Sequence, residues 1–246
     1  MKTISHWING AVTNEKSERS GEVFNPATGK ISGSVNFAST ATVDMAVGVA
    51  TEAFNEWRHS SLTKRTQVLF AFRELVNANK EKIAALITAE HGKVLSDALG
   101  EVTRGLEVVE FACGIPHLLK GGFSEEVSTG VDVYSIRQPL GPVAIISPWN
   151  FPTATASWKI APALAFGNAV IWKPANLTPA SAVALTEIIS KQDIPKGLFN
   201  LVMGSGSSIG QSLAESPKVH AISFTGSYDV GRQIAGSAAK NLTKFQ

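Results

Sequence analysis

Cysteine is almost missing from this sequence: Cys113 is the single one among 246 residues. A lone thiol excludes an internal disulfide and any cluster of thiolate ligands, and it fits a reducing compartment. Histidine is sparse too, and His6, His59, His91, His117 and His220 form no pair at ligand spacing, so no metal site is expected. Charge of one sign is not in excess. The 22 Lys and Arg are scattered among 20 Asp and Glu, and without a basic stripe neither nucleic acid nor an anionic membrane is an expected partner. A long unbroken apolar run is also lacking. Ser5, His6 and Asn9 interrupt the first ten residues, which do not read as a signal peptide. Residues 138–158 are uncharged, but Pro139, Pro142, Pro148 and Pro152 would break a membrane helix repeatedly. A cytoplasmic location is the expectation.

What is present is periodicity, and it changes character partway along the chain. From Thr42 to about Lys120, Val43, Ala46, Val47, Ala50, Ala53, Phe54 and Trp57 recur at helical spacing, as do Val68, Leu69, Phe72, Leu75 and Val76. Glu90-His91-Gly92-Lys93 reads as a helix end with glycine in the left-handed position. Residues 1–124 are therefore expected to form a helical N-terminal part. Val131 to Arg137 alternates apolar and polar residues, an edge strand within a protruding β arm at 125–141. Beyond Gly141, short β-rich runs at 142–147, 169–173, 198–203 and 219–224 alternate with helical stretches at 154–166, 178–191, 207–215 and 227–239. Buried strands alternating with helices imply right-handed crossovers and a parallel sheet covered on both faces. The fold class is thus α/β, with a Rossmann-like parallel sheet at 142–246.

Ligands of such sheets bind beyond the carboxyl ends of the strands. Three turns fall there: Ser147-Pro148-Trp149-Asn150-Phe151-Pro152, Trp172-Lys173-Pro174-Ala175-Asn176 and Phe224-Thr225-Gly226-Ser227. In the last, Gly226 allows a tight turn, Thr225 and Ser227 offer hydroxyls, and the next helix aims its free amides and positive dipole end at a phosphate. Gly231 permits close approach of that helix. Each turn has a bland reading as well. Asn150 alone could bond its own backbone, Lys173 could be a solvated lysine after a strand, and Trp149 could be core. A neutral amide held between two prolines is nonetheless a preorganised donor, worth roughly 10²- to 10³-fold in turnover at an oxyanion.

In order, wording and spacing these turns resemble the aldehyde dehydrogenase superfamily. The likeness runs from Trp7-Ile8-Asn9-Gly10 and Asn25-Pro26-Ala27-Thr28 to the last residue. It implies an NAD(P)-dependent enzyme that oxidises an aldehyde. By resemblance, Asn150 would donate to the oxyanion formed when a thiolate adds to the carbonyl, and Lys173 would bond the adenosine ribose hydroxyls. Trp149 and Ser227 would face the pyrophosphate, Gly226 would let the dinucleotide lie close to the backbone, and Ser147, Asn176, Gly206, Gly210, Phe224, Thr225 and Gly231 would complete the cofactor contacts. Many NAD-preferring members carry glutamate where this chain has Asn176, so NAD and NADP both remain open. Residues 90–137 look like the methylmalonate-semialdehyde branch, whereas Trp149 and residues 159–246 look like the 2-oxoglutarate-semialdehyde and succinate-semialdehyde branches. The acyl acceptor is accordingly either water or CoA. The arm implies a homo-oligomer, dimer or tetramer.

Two groups the family needs are expected to lie outside these residues. One is the general base of a Glu-(Leu or Met)-Gly-Gly motif, which should come shortly after the helix that ends near Lys244-Phe245-Gln246; the other is the cysteine nucleophile. Cys113, among Phe111, Ala112 and Ile115, reads as a small core residue with a raised pKa. The fragment alone is expected to be inactive. A non-catalytic dinucleotide-binding or assembly module is the alternative. Gly206-Ser207-Ser208-Ile209-Gly210 matches a nucleophile elbow, but the only later histidine, His220, leaves no separated partners for a triad.

Overall fold

The computed structural model describes residues 2–13 and 17–246, and Met1 and residues 14–16 lie outside that description. Five strands come first: β1 (Lys2–Ile4), β2 (Trp7–Ile8), β3 (Ala11–Val12), β4 (Ser20–Asn25) and β5 (Lys30–Asn36). This corrects the expectation of a helical part from residue 1, because helices begin only at Thr40. The reason is local. In β4 and β5 only Val23, Val35 and one further position are fully inward, so apolar alternation is faint. The turn between them is made instead by Asn25, whose side chain accepts from the Ala27 amide, and by Gly29 at φ 67°.

Four long helices follow: α1 (Thr40–Trp57), α2 (Leu62–Ala78), α3 (Lys80–His91) and α4 (Leu95–Cys113), then the single turn α5 (Ile115–Leu118). Ser39 starts α1 with a capping box, its hydroxyl accepting from the Thr42 amide. The apolar stripe read from the sequence is the buried one, from Val43 to Trp57. Gly92 ends α3 at φ 86°, the left-handed conformation that glycine adopts without strain. The arm is a separate hairpin of β6 (Phe123–Ser128) and β7 (Val131–Tyr134), with every residue exposed.

The remainder alternates as expected: β8 (Pro142–Ile146), α6 (Ala154–Ala165), β9 (Ala169–Lys173), α7 (Pro179–Ile189), β10 (Phe199–Leu201), a π-turn (Gly206–Gly210) running into α8 (Gln211–Glu215), β11 (Ala221–Phe224), α9 (Tyr228–Ala239) and β12 (Lys244–Phe245). The last helix therefore stops at Ala239. Lys244-Phe245 is a strand, parallel to β11, because the Lys244 and Gln246 amides bond the carbonyls of His220 and Ile222. The main sheet runs β12-β11-β8-β9-β10-β2-β3, parallel from β12 through β10, with β2 and β3 antiparallel at the far edge. Every residue of β8 and β9 is buried, so helices cover both faces. Each fully buried Ile or Val there contributes about 1.5–3 kcal/mol relative to exposure. No helix among the described residues is long and apolar enough to cross a membrane.

Candidate functional site

From β8 the chain moves through β9 to β10 and then returns to place β11 on the other side of β8. This reversal is the switch point at which open α/β sheets bind ligands. Register brings the strand ends level, with Ile146 opposite Lys173 on one side and Phe224 on the other. The three turns consequently meet around one cleft of about 470 Å³, lined by Ser147, Trp149, Asn150, Lys173, Asn176, Gly206, Phe224, Thr225, Gly226 and Ser227. That volume is within the usual range for small-molecule sites.

Gly210 and Gly231, expected as cofactor contacts, are not among the residues lining the cleft. A Cβ on Gly210 would lie 3.2 Å from Ile234 Cδ1, so this glycine serves the packing of α8 under α9. Gly231 and Gly226 both make room for the Phe224 ring, which a Cβ would meet at 3.1 and 2.5 Å. Ser147 reaches the cleft, and its hydroxyl accepts from the buried Trp172 indole at 2.9 Å, which leaves its proton and one lone pair to offer.

Lys173 is the distinctive group of the wall. Its residue is only 6% exposed, and among the described residues no hydrogen bond or ion pair engages its ammonium. Burial lowers its pKa from the ordinary 10.5 to about 8. The ammonium points at Gly206, where an added Cβ would sit 3.9 Å away. At the end of β11, Ser227 begins α9 in extended conformation with no side-chain cap, so the first-turn amides of a 12-residue helix are free beside Gly226. A cation and a helix N-terminus in one cleft make a receptor for a hydroxyl-bearing, anionic ligand.

Asn150 uses its oxygen on its own backbone, accepting from the Phe151 amide at 3.1 Å. The bland reading is therefore present, and the contact leaves the Nδ2 hydrogens without a partner among the described residues. Asn150 and Trp149 also line a second cleft, of about 610 Å³, together with His91, Lys93, Glu101, Arg104 and Phe151. These last residues were not expected from the sequence as site residues. The helix-end reading of His91-Gly92-Lys93 marked the corner, but nothing in a linear pattern places Glu101 or Arg104 beside Asn150.

The decoys separate in space. His220 precedes β11 and bonds the Leu140 carbonyl at 2.8 Å, at the amino ends of the strands, opposite the cleft. Cys113 is buried in α4, its thiol against the Val109 carbonyl at 3.4 Å, and burial, helped by Glu110, pushes its pKa up.

The fold is that of a doubly covered parallel sheet with a cleft at its switch point. Residues 12–246 match the aldehyde dehydrogenase family, and the chain belongs to that family. The malonate-semialdehyde dehydrogenase of Pseudomonas aeruginosa is 39% identical over 246 residues, a match covering 100% of this chain and 49% of that protein. The crystal structure of methylmalonate-semialdehyde dehydrogenase from Oceanimonas doudoroffii superposes with a TM-score of 0.97 at 40% identity, over 100% of this chain and 50% of that one. A Sinorhizobium meliloti protein assigned to the same activity and solved in complex with NAD gives a TM-score of 0.96 at 39% identity, with the same coverage of 100% and 50%. The chain spans about half the length of these relatives.

Proposed function

We propose that this chain is the dinucleotide-binding part of an NAD(P)-dependent aldehyde dehydrogenase acting on a semialdehyde. The observation that carries the reading is the unpaired ammonium of the buried residue Lys173 in the same switch-point cleft as the free amino end of α9. A buried cation without a counter-charge is costly and is held at sites where a ligand completes it. Lys173 would donate to the adenosine ribose hydroxyls, with Asn176 beside them, while Trp149, Ser227 and the α9 amides would hold the pyrophosphate. The dinucleotide supplies the hydride acceptor. Asn150 stands on the wall shared by both clefts, where its Nδ2 would donate to the aldehyde oxygen as negative charge develops. The relatives named for malonate and methylmalonate semialdehydes suggest a substrate carrying a carboxylate. Arg104, exposed on the second cleft, is the cation to receive it.

The only thiol of the 246 residues is buried and far from ionised, so the chain by itself binds dinucleotide without oxidising aldehydes. Association is a second element of the reading. The β6–β7 hairpin projects Phe123, Val127, Val131, Val133 and Tyr134 into solvent, and a lone two-stranded hairpin is marginal without something to pack on. The arm therefore joins copies of the protein in a homo-oligomer. Calorimetric titration of the chain with NAD and NADP tests the core of the proposal. Binding should weaken by about 1 to 3 kcal/mol in Lys173→Met, the value of a hydrogen bond from a charged donor, and no heat with either dinucleotide would refute it.

A further inference from the structure

The loop that carries Trp149 and Asn150 is exposed and irregular, yet it is gripped from outside by the corner where α3 turns into α4. Gly92 makes the corner in its left-handed conformation. On one side of it the His91 ring lies against the Trp149 ring, centroids 5.4 Å apart and tilted by 32°. On the other side the Lys93 ammonium donates to the Asn150 carbonyl at 2.8 Å and sits 4.3 Å over the Phe151 ring. The same ammonium bonds Glu101 Oε2 at 2.7 Å. The other oxygen, Glu101 Oε1, accepts from the Thr153 and Ala154 amides at 2.8 and 3.2 Å, capping α6 from a different helix. Thr153 offers no cap of its own. Glu101 can reach because α4 and α6 touch through Gly105, where a Cβ would meet Ser157 at 3.3 Å and the Ala154 Cα at 3.4 Å.

Four consecutive parts of the loop are thus held: a ring at Trp149, a carbonyl at Asn150, a ring at Phe151 and two amides at Thr153 and Ala154. We infer that His91, Lys93 and Glu101 form a clamp whose task is to position Trp149 and Asn150 between the two clefts. The charged pair is well hidden, with the Lys93 side chain 11% and the Glu101 side chain 0% exposed. A merely stabilising contact at this corner would be served as well by apolar residues of the same volume. The ion pair does what they cannot: it fixes a backbone carbonyl and two amides in direction as well as distance. This inference rests on the reading of the loop as the one that meets dinucleotide and aldehyde.

The test uses the chain labelled with 5-fluorotryptophan, whose fluorine spectrum reports Trp7, Trp57, Trp149, Trp158 and Trp172 separately. Lys93→Met should displace and broaden the Trp149 line while leaving the lines of buried Trp57 and Trp172 in place. NAD affinity should fall about two- to tenfold, the loss of one well-placed contact. Lys93→Arg should restore both, and His91→Ala should displace the Trp149 line alone. Should Lys93→Met fail to fold because it strands the Glu101 carboxylate, the double variant Lys93→Met/Glu101→Gln is read the same way. A Trp149 line and an NAD affinity unchanged in Lys93→Met overturn the clamp. So do movement of all five lines together and failure of the double variant to fold, because each assigns the pair to stability. Unchanged affinity in Lys173→Met refutes the cleft assignment instead, since the Trp149 line is read without ligand.

Discussion

Lys173 is a group the fold tolerates at a cost, and that cost can be measured. Lowering its pKa from 10.5 to about 8 by burial corresponds to about 3 kcal/mol of destabilisation of the charged form in the folded state. At pH 7 the ammonium is protonated in both states, so the full penalty acts. Between about pH 8 and 10.5 the unfolded chain keeps a proton on this lysine that the folded chain has lost, so stability rises with pH across that window. Lys173→Met keeps the apolar stem and removes the charge. The variant should be more stable than the parent by about 1 to 3 kcal/mol at pH 7, which is about 2 to 4 °C of melting temperature per kcal/mol for a chain of this size. The advantage should shrink toward zero by about pH 10.5. Urea melts of both proteins at pH 7, 8.5 and 10 measure the difference directly, and titrations common to both cancel. The same variant should bind dinucleotide worse. A residue whose removal improves the fold and harms binding is one retained for its ligand. If Lys173→Met is less stable than the parent at pH 7, or if the gap does not close with pH, the ammonium is solvated or paired and the argument for the cleft loses its main support.

Three further outcomes follow from single positions. Asn176→Glu should lower affinity for NADP more than for NAD by about 1 to 4 kcal/mol, the repulsion of two like charges near a surface; an unchanged ratio in calorimetry would show that residue 176 does not face the ribose. Gly141 holds φ +139°, and a Cβ there would meet His220 Nδ1 at 2.0 Å, so Gly141→Ala should destabilise by about 1 to 3 kcal/mol through strain and overpacking, and a melting temperature equal to the parent's would contradict that geometry. Val133→Lys on the arm should reduce the apparent mass in sedimentation without altering the circular dichroism, whereas identical sedimentation of variant and parent would remove the arm from any interface.

Much of the architecture was legible because it rests on short-range rules. The apolar stripe of α1 and the buried runs of β8 and β9 announce themselves through period and length, and Gly92 ends its helix where a left-handed residue is needed. The first 36 residues were not legible, since β4 and β5 expose most of their side chains and pair through a turn rather than through a strong alternation. Lys244-Phe245 was misread as the end of a helix because two residues carry no period, and only the open edge of β11 makes them a strand.

The site divides along the same line. Local sequence determined that Lys173 ends a strand and that Asn150 and Ser227 each sit just past one, since a βα unit places its loop there whatever the rest of the chain does. Tertiary structure alone decided that these three meet, because their meeting depends on β11 returning beside β8 and on the register that levels Ile146, Lys173 and Phe224. It also decided what the sequence could not rank: that Lys173 is buried and unpaired, that Gly210 and Gly231 serve packing, and that Glu101, 52 residues before Thr153, caps its amide. Burial and hydrogen-bond partnership are properties of atoms brought together from distant parts of the chain, and no spacing along one stretch of sequence encodes the distance between two others.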